Sequence, residues 1–524
     1  MRRELTKYLR LPTMSRMETG AALSRRPTVV GGLLLILMLL TGLGWAVSSP
    51  VESSPDDNYH LGSIWCPRPA GESCQTSVVD GDPVVRVPIA VADESMRCYV
   101  LQSNKSAGCA LGYDDSHMVW SKRFDNGAYP IGYYHFHHLF VGKDVQTSVL
   151  VMRGVNVLIA VALLGTIGFC APRQLRRPFI GAIVASWVPM GVYFIASNNP
   201  SSWAVSGLMA YSAATFMAPQ QKGSHRIALV ICAVIGAVMC LTSRYDAAFF
   251  LLVVGLALLF AVPWKRGGWI GLSALAGVAV LGGVTFMASS QVSKVAYFLR
   301  LFEASDPANS ANKQSFFEKL LIGLETAPKY LGGFWGHTWT PGWHDVPLGD
   351  RAPYVLTIMT AGAFVAIALR RGGGRKWTSM AVLVGAMVLL PAVFYANGAM
   401  EHIELYQARY IFPLLAPTFF LMLAVDQDED SWFTVPQAVW VTVCASLCQA
   451  ITLHTLLLRF VQGVHKRWEL NLDKHIEWWW SVPVSPMMVW FLTTCVATAA
   501  VGDAMAMLTR APQGQEEPQE SQES

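Results

Sequence analysis

Long uncharged apolar runs recur along this chain, separated by short stretches that hold most of its charge. A helix needs about 20 such residues to cross a hydrocarbon core, and the pattern predicts about twelve spans. They lie near residues 29–47, 149–171, 179–196, 203–218, 227–242, 247–264, 269–289, 353–369, 378–396, 410–425, 437–457 and 486–508. The expected fold class is therefore an all-α integral membrane protein, a polytopic helical bundle. Composition agrees, with 53% hydrophobic and 14% charged residues, where soluble domains carry about a quarter charged residues. The net charge of +4 is spread over short loops, so no nucleic-acid surface is expected. The first run, Val29 to Val47, is longer than a signal-peptide core. Gly44, Ala46 and Ser48 would suit a cleavage site, but the further spans favour an uncleaved helix.

Basic residues set the expected orientation. Arg2, Arg3, Lys7, Arg10, Arg25 and Arg26 precede the first span. Every second loop repeats the signal: Arg173, Arg176 and Arg177; Lys222 and Arg226; Lys265 and Arg266; Arg370, Arg371, Arg375 and Lys376. By the positive-inside rule both termini are cytoplasmic. The acidic loop Asp426–Asp430 breaks the alternation but carries little orienting weight.

Three larger segments then fall outside, and the first is long enough for a small subdomain. Its cysteines, Cys66, Cys74, Cys98 and Cys109, sit where disulfides form. Of three pairings, Cys66–Cys74 and Cys98–Cys109 are the simplest; zinc is disfavoured because no CxxC spacing occurs. The remaining cysteines, Cys444 and Cys448 among them, read as apolar packing residues. Residues 292–302 suit an interfacial helix. Trp335, Trp339, Trp343 and Trp478-Trp479-Trp480 read as an aromatic belt, with sugar stacking as the alternative. The tail after Arg510, rich in Gln, Glu, Pro and Ser, is expected to be disordered.

The candidate chemistry begins just beyond the first span, in Ser53-Ser54-Pro55-Asp56-Asp57-Asn58-Tyr59-His60. Adjacent carboxylates repel, so a site holding both calls for a cation, a proton or a polar substrate. A bland alternative makes Asp56 a helix N-cap. His60, three residues past Asp57, shares its side of any helix there. Arg244 and Arg409 stand at outer span ends, where Arg also serves as a snorkelling anchor, and Arg244 has Asp246 within reach. Arg153, about one turn into the second span, calls for a structural ion pair with an acid. Glu401-His402-Ile403-Glu404 lacks the spacing that puts two imidazoles on one helical face, and Tyr134-His135-Phe136-His137-His138 reads as an interfacial entry.

Four stretches together resemble the DUF2142 family of bacterial multi-pass membrane proteins, related to the GT-C glycosyltransferases. Pro55-Asp56-Asp57-Asn58-Tyr59-His60 resembles its acidic motif, usually Pro-Asp-Glu with a nearby His. Ala128-Tyr129-Pro130-Ile131-Gly132-Tyr133-Tyr134, followed by Arg153-Gly154-Val155-Asn156, resembles its Tyr-Pro-Pro and Arg-Leu-Leu-Asn pattern. Pro189-Met190 through Asn198-Asn199-Pro200 resembles its third span and turn, and Ala408-Arg409-Tyr410-Ile411-Phe412-Pro413-Leu414-Leu415 its Gly-Arg-Tyr-Phe-Leu-Pro-Leu-Leu signature. Asp57 replaces the usual Glu, Ala408 replaces Gly, and Asn199 stands where Asp is frequent.

The resemblance implies a GT-C-like transmembrane domain over 29–425, with outer loops 48–148 and 290–352. Flanking it are a cytoplasmic segment 1–28, a C-terminal transmembrane pair 426–508 with outer loop 458–485, and the cytoplasmic tail 509–524. It also implies a bacterial plasma (inner) membrane enzyme that moves a sugar from a polyprenyl-phosphate donor to an envelope glycan, lipid or protein. Asp57, with Asp56 as close competitor, is then the base that takes the acceptor proton. Arg409, Tyr410, Arg244 and His60 are the expected substrate contacts. Mg²⁺ or Mn²⁺ between Asp56 and Asp57 is the candidate cofactor. A flippase or transporter of lipid-linked precursors and a noncatalytic envelope scaffold are the competing expectations.

Overall fold

A computed structural model describes residues 27–92, 98–187, 189–263, 269–287, 315–348, 352–398, 400, 402–426, 432–465 and 469–509. The expected interfacial helix at 292–302 lies outside these residues, as do residues 1–26 and 510–524 of the terminal segments.

Helices form at all twelve apolar windows, as a chain in lipid requires, because a helix satisfies its own backbone. They are α1 (Pro27–Ala46), α4 (Val145–Cys170), α5 (Arg173–Ser186) with α6 (Met190–Ile195), α7 (Ser201–Met217), α8 (Gly223–Ser243), α9 (Tyr245–Ala261), α10 (Trp269–Met287), α12 (Ala352–Ala368), α13 (Gly374–Ala396), α14 (Ala408–Ala424), α15 (Val435–Val461) and α16 (Pro486–Thr509). Shorter helices α2 (Asp57–Trp65), α3 (Gly132–His138) and α11 (Phe316–Gly333) lie between them. Among these, α4, α8, α13, α15 and α16 are long and apolar enough to cross a bilayer by themselves, and five shorter apolar helices join them. The chain is a multi-pass membrane protein.

The window at 179–196 is two helices rather than one. Trp187 closes α5 by donating its N–H to the Ile183 carbonyl, and Pro189, which has no N–H to give, stands ahead of α6. Close packing elsewhere depends on glycine. A Cβ on Gly236 of α8 would sit 2.5 Å from the Gly207 carbonyl oxygen of α7, so these two backbones meet because neither carries a side chain.

One end of the bundle is loop-rich, and there the all-α expectation needs a correction. Antiparallel strands β1 (Thr76–Val79), β2 (Asp82–Pro88) and β3 (Met118–Ser121) form a small sheet in the order β1-β2-β3. Its first turn is Asp80-Gly81, both at positive φ (53° and 85°), the combination a two-residue hairpin favours. Disulfides Cys66–Cys74 and Cys98–Cys109 staple the same region.

The tryptophans expected at the membrane belt mostly pack inward. Trp335, Trp339, Trp478 and Trp480 are buried, and Trp480 donates its indole N–H to the Val47 carbonyl just past α1 (2.8 Å). Fully buried Arg459, at the end of α15, reaches Asp345 (2.6 Å) and the Tyr99 carbonyl (2.6 Å), tying three loop segments together. At the opposite end Lys376 donates to the Ala368 and Arg371 carbonyls at the end of α12, and Arg375 pairs with Asp426 (2.5 Å).

Candidate functional site

The turn after α1 is built from carbonyls that no helix can satisfy. Orphaned buried acceptors need partners, and here they come from distant parts of the chain. Arg153 of α4 donates to the carbonyls of Ala46 (3.1 Å), Ser49 (2.6 Å) and Pro50 (2.7 Å), while Asn198 holds its Nε (2.8 Å). Tyr99 donates to Val51 (3.1 Å), Trp343 to Glu52 (2.8 Å), Tyr193 to Ser53 (3.4 Å) and Asn199 to Pro55 (3.0 Å). Arg153 therefore caps carbonyls directly, with the expected acid, Asp57, acting on it electrostatically without a direct ion pair; a guanidinium presents five donors, more than one carboxylate could use. Asn156 fixes the neighbouring turn by donating to the Ser197 carbonyl (2.9 Å).

Held this way, the turn presents its two carboxylates in opposite directions. Asp56 adopts φ 64°, ψ 11°, a left-handed conformation that Asp tolerates better than most residues. It precedes α2 but makes no side-chain cap. Asp57 turns inward, has no solvent exposure, and accepts the Ser54 N–H at 3.0 Å. Burial pushes its carboxyl up to about 6, against the pull of Arg153 and Ser54. Asp56 turns out, with 36% of its side chain exposed. Its Oδ2 lies 2.6 Å from Arg409 Nη2 and its Oδ1 3.9 Å from Arg123 Nη2. Partial burial works to raise this carboxyl, but the two guanidiniums outweigh it and hold Asp56 below the usual carboxylate range.

Arg409 and Arg244 both approach the ring of Tyr410. Their guanidinium carbons lie 4.9 and 5.7 Å from the Tyr410 ring centre, and Arg244 is also 5.7 Å from that of Tyr129. Arg244 forks onto Asp246 (Nε–Oδ1 2.8 Å, Nη2–Oδ2 2.6 Å) and donates to Ser201 Oγ (3.2 Å). Both arginines are almost fully buried. The cluster sets the guanidiniums of Arg123, Arg244 and Arg409 against the carboxylates of Asp56 and Asp246. Such a cluster attracts an anion.

His60 sits beneath this cluster. It is buried, shares a hydrogen bond between Nδ1 and the Tyr134 hydroxyl (3.0 Å), and meets the Tyr129 ring edge-on at 5.1 Å. Burial pulls its pKa down to about 3, so it is neutral at physiological pH. The structure thus brings Asp56, His60, Arg244, Arg409 and Tyr410 into one region and sets Asp57 behind them.

A divalent cation fits this arrangement poorly. Asp56 spends its oxygens on guanidiniums, and Asp57 gives one oxygen to a backbone N–H inside the fold. Mg²⁺ or Mn²⁺ needs several convergent oxygens and an excess of negative charge. Elsewhere, Glu404 meets Lys329 at 3.7 Å on the exposed surface, and Glu401 lies outside the described residues. His135, His137 and His138 bond the backbone carbonyls of Arg68, Tyr133 and Ile64.

Two site residues escaped the sequence reading. Arg123 joins the cluster from the segment after β3, within 5.6 Å of the Tyr59 ring centre. Asp125 accepts the Tyr59 hydroxyl (3.1 Å) and the N–H groups of Gly127 (3.2 Å) and Tyr129 (3.0 Å). The Asp125-Asn126-Gly127 turn signature was the available clue to Asp125; nothing in the sequence marked Arg123.

The family described as "Predicted membrane protein (DUF2142)" matches residues 39–418, well over half of the chain. No curated protein and no solved structure matches. The chain belongs to the DUF2142 family.

Proposed function

We propose that this DUF2142 member is a GT-C-type membrane glycosyltransferase that moves a sugar from a polyprenyl-phosphate donor to a cell-envelope acceptor. The observation that carries the reading is a solvent-accessible carboxylate, Asp56, beside three arginines at the loop-rich end of a lipid-embedded bundle. A lipid-linked phosphate arriving in the bilayer plane would meet positive charge there, with a proton acceptor beside it.

The chemistry asks little else of the chain. The acceptor hydroxyl gives its proton to Asp56 as its oxygen attacks the anomeric carbon. The bond from that carbon to the phosphate oxygen breaks, and the electron pair leaves on the phosphate. Arg409 and Arg244 stabilise that anion, so no general acid is needed. A base must reach solvent and substrate, which favours Asp56 over Asp57; buried Asp57 then positions the turn. Tyr410 offers its ring to both arginines. Arg173, Lys222, Arg371 and Arg375 flank the helix ends away from Asp56, which by the positive-inside rule faces the loop-rich end outward in a bacterial plasma membrane with both termini cytoplasmic. Twelve crossings satisfy that topology.

A flippase reading draws on the break between α5 and α6. That break borders a cavity of about 120 Å³ whose lining includes Trp187, Thr41 and Gln449 and no charged residue. Such a lining suits lipid tails and offers nothing to a phosphate headgroup in transit. A scaffold has no use for an accessible carboxylate set against arginines.

The deciding assay uses protein in liposomes, a prenyl-phosphate-linked sugar and envelope acceptors. Wild type is expected to transfer sugar and Asp56→Asn to lose transfer. Full transfer by a folded Asp56→Asn protein would remove the base assignment. Movement of lipid-linked sugar across the vesicle with no covalent change would identify a flippase instead.

A further inference from the structure

We propose that the Asp56 carboxylate and an incoming phosphate ester compete for the same guanidinium, that of Arg409, so that phosphate binding releases Asp56 to act. The inference rests on the reading of this cluster as a phosphate site. It adds that the site carries its own anionic competitor.

The geometry distinguishes the fixed partner from the movable one. Arg409 has only 3% of its side chain exposed and is anchored on neutral acceptors: Gln407 at Nε, the Pro55 carbonyl at Nη1 (3.2 Å) and the Tyr410 hydroxyl at Nη2 (3.3 Å). Asp56 is its charged partner at 2.6 Å and is 36% exposed. The backbone at Pro55 is pinned by Asn199 and Arg409. Exchange therefore needs only rotation of the Asp56 side chain toward water, with no movement of the turn. Arg123, 45% exposed and 3.9 Å from Asp56 Oδ1, can follow either anion. Arg244 cannot be freed as easily, because it forks onto Asp246.

The exchange imposes an order. A carboxylate locked to a guanidinium is a weak base, and Asp56 lies below the usual carboxylate range for that reason. When a phosphate oxygen takes over Arg409, the positive charge is neutralised and Asp56 regains basicity beside the bound ester. Donor then precedes acceptor, and the base is strong only with a donor in place.

Binding, without turnover, tests this. Asp56→Asn and Asp56→Gly both tolerate the left-handed backbone and both remove the competing charge. Titration of detergent-solubilised full-length protein with farnesyl phosphate, and separately with inorganic phosphate, should show both variants binding about fivefold more tightly than wild type. Tightening with both probes assigns the effect to the phosphate group, and tightening with farnesyl phosphate alone to a lipid headgroup; either upholds the exchange. Equal or weaker binding by both variants overturns it, and wild-type binding in that case leaves the phosphate-site reading standing. Failure of all three proteins to bind either probe sinks that reading and the exchange together.

Discussion

Ser54 donates its backbone N–H to Asp57 Oδ2 at 3.0 Å, inside a turn where Asp57 has no solvent exposure. The neighbouring carboxylate, at a left-handed Asp56, faces the other way. Asp57 is thus a buried acid beside a partly exposed one, and its ionisation bears on the whole turn.

The first expectation concerns pH. The folded-state pKa of Asp57, about 6, lies above the value of about 3.9 in an unfolded chain. Below pH 4 the group is protonated in both states and contributes no penalty. Between pH 4 and 6 the unfolded chain loses the proton first, so stability falls, by about 3 kcal/mol once pH exceeds 6. Thermal unfolding in detergent should show this slope in wild type and a flatter one in Asp57→Asn, with the variant the more stable at pH 7.5. Parallel pH profiles for the two proteins would contradict the assignment.

Arg153→Met should strip the Ala46, Ser49 and Pro50 carbonyls of their donor together. A loss of about 3 kcal/mol is expected, seen as a lower denaturation midpoint. Arg153→Lys should recover only part of it, since an ammonium cannot span the same fork of acceptors. Full recovery by lysine would mean that charge alone, not the carbonyl geometry, matters.

For Arg244→Lys the expected signature is functional. The variant keeps the charge but loses the two-point contact with Asp246. Farnesyl phosphate binding should weaken about tenfold, alongside the fall in unfolding temperature that loss of the buried fork brings. An unchanged affinity would remove Arg244 from the anion site.

The chain contains 10 cysteines, of which Cys66–Cys74 and Cys98–Cys109 are bridged. Denatured, unreduced protein should therefore take up about six maleimide labels and reduced protein about ten, read by intact mass. Reduction should also destabilise the loop region, by about 2–3 kcal/mol for each bridge in the chain-entropy picture. Ten labels without reduction would show that the bridges are absent.

Much of this architecture was legible in the sequence because membrane spans announce themselves by uninterrupted hydropathy, and both disulfide pairings followed from proximity. The Asp pair stood out too, as did Arg409 and Arg244 at the outer span ends, of which Arg409 reaches Asp56 and Arg244 reaches Asp246. Which carboxylate faces outward was not legible. That depends on the φ of 64° at Asp56, a backbone property set by Arg153, Asn199 and Arg409 from elsewhere in the chain. Arg123 stayed hidden for a similar reason: it reaches Asn58, 65 residues earlier, from a loop with no periodic pattern. Arg153 was recognised as needing partners, but hydropathy says only that a buried charge must be satisfied, not whether by a carboxylate or by carbonyls.

The grip on the turn after α1 also bears on how the chain assembles. Its partners lie far along the sequence: 291 residues away for Trp343 with Glu52, 354 for Arg409 with Pro55, and 433 for Trp480 with Val47. Contacts this non-local form late, because the intervening chain must first be brought into place. A protein inserted helix by helix would first hold its acidic turn through Tyr99, Arg153 and Asn199, and would gain the remaining clamps only as the segments carrying Trp343, Arg409 and Trp480 docked. Asp56 would meet Arg409 only once α14 is in place, so the site would become ready late in the assembly of the fold.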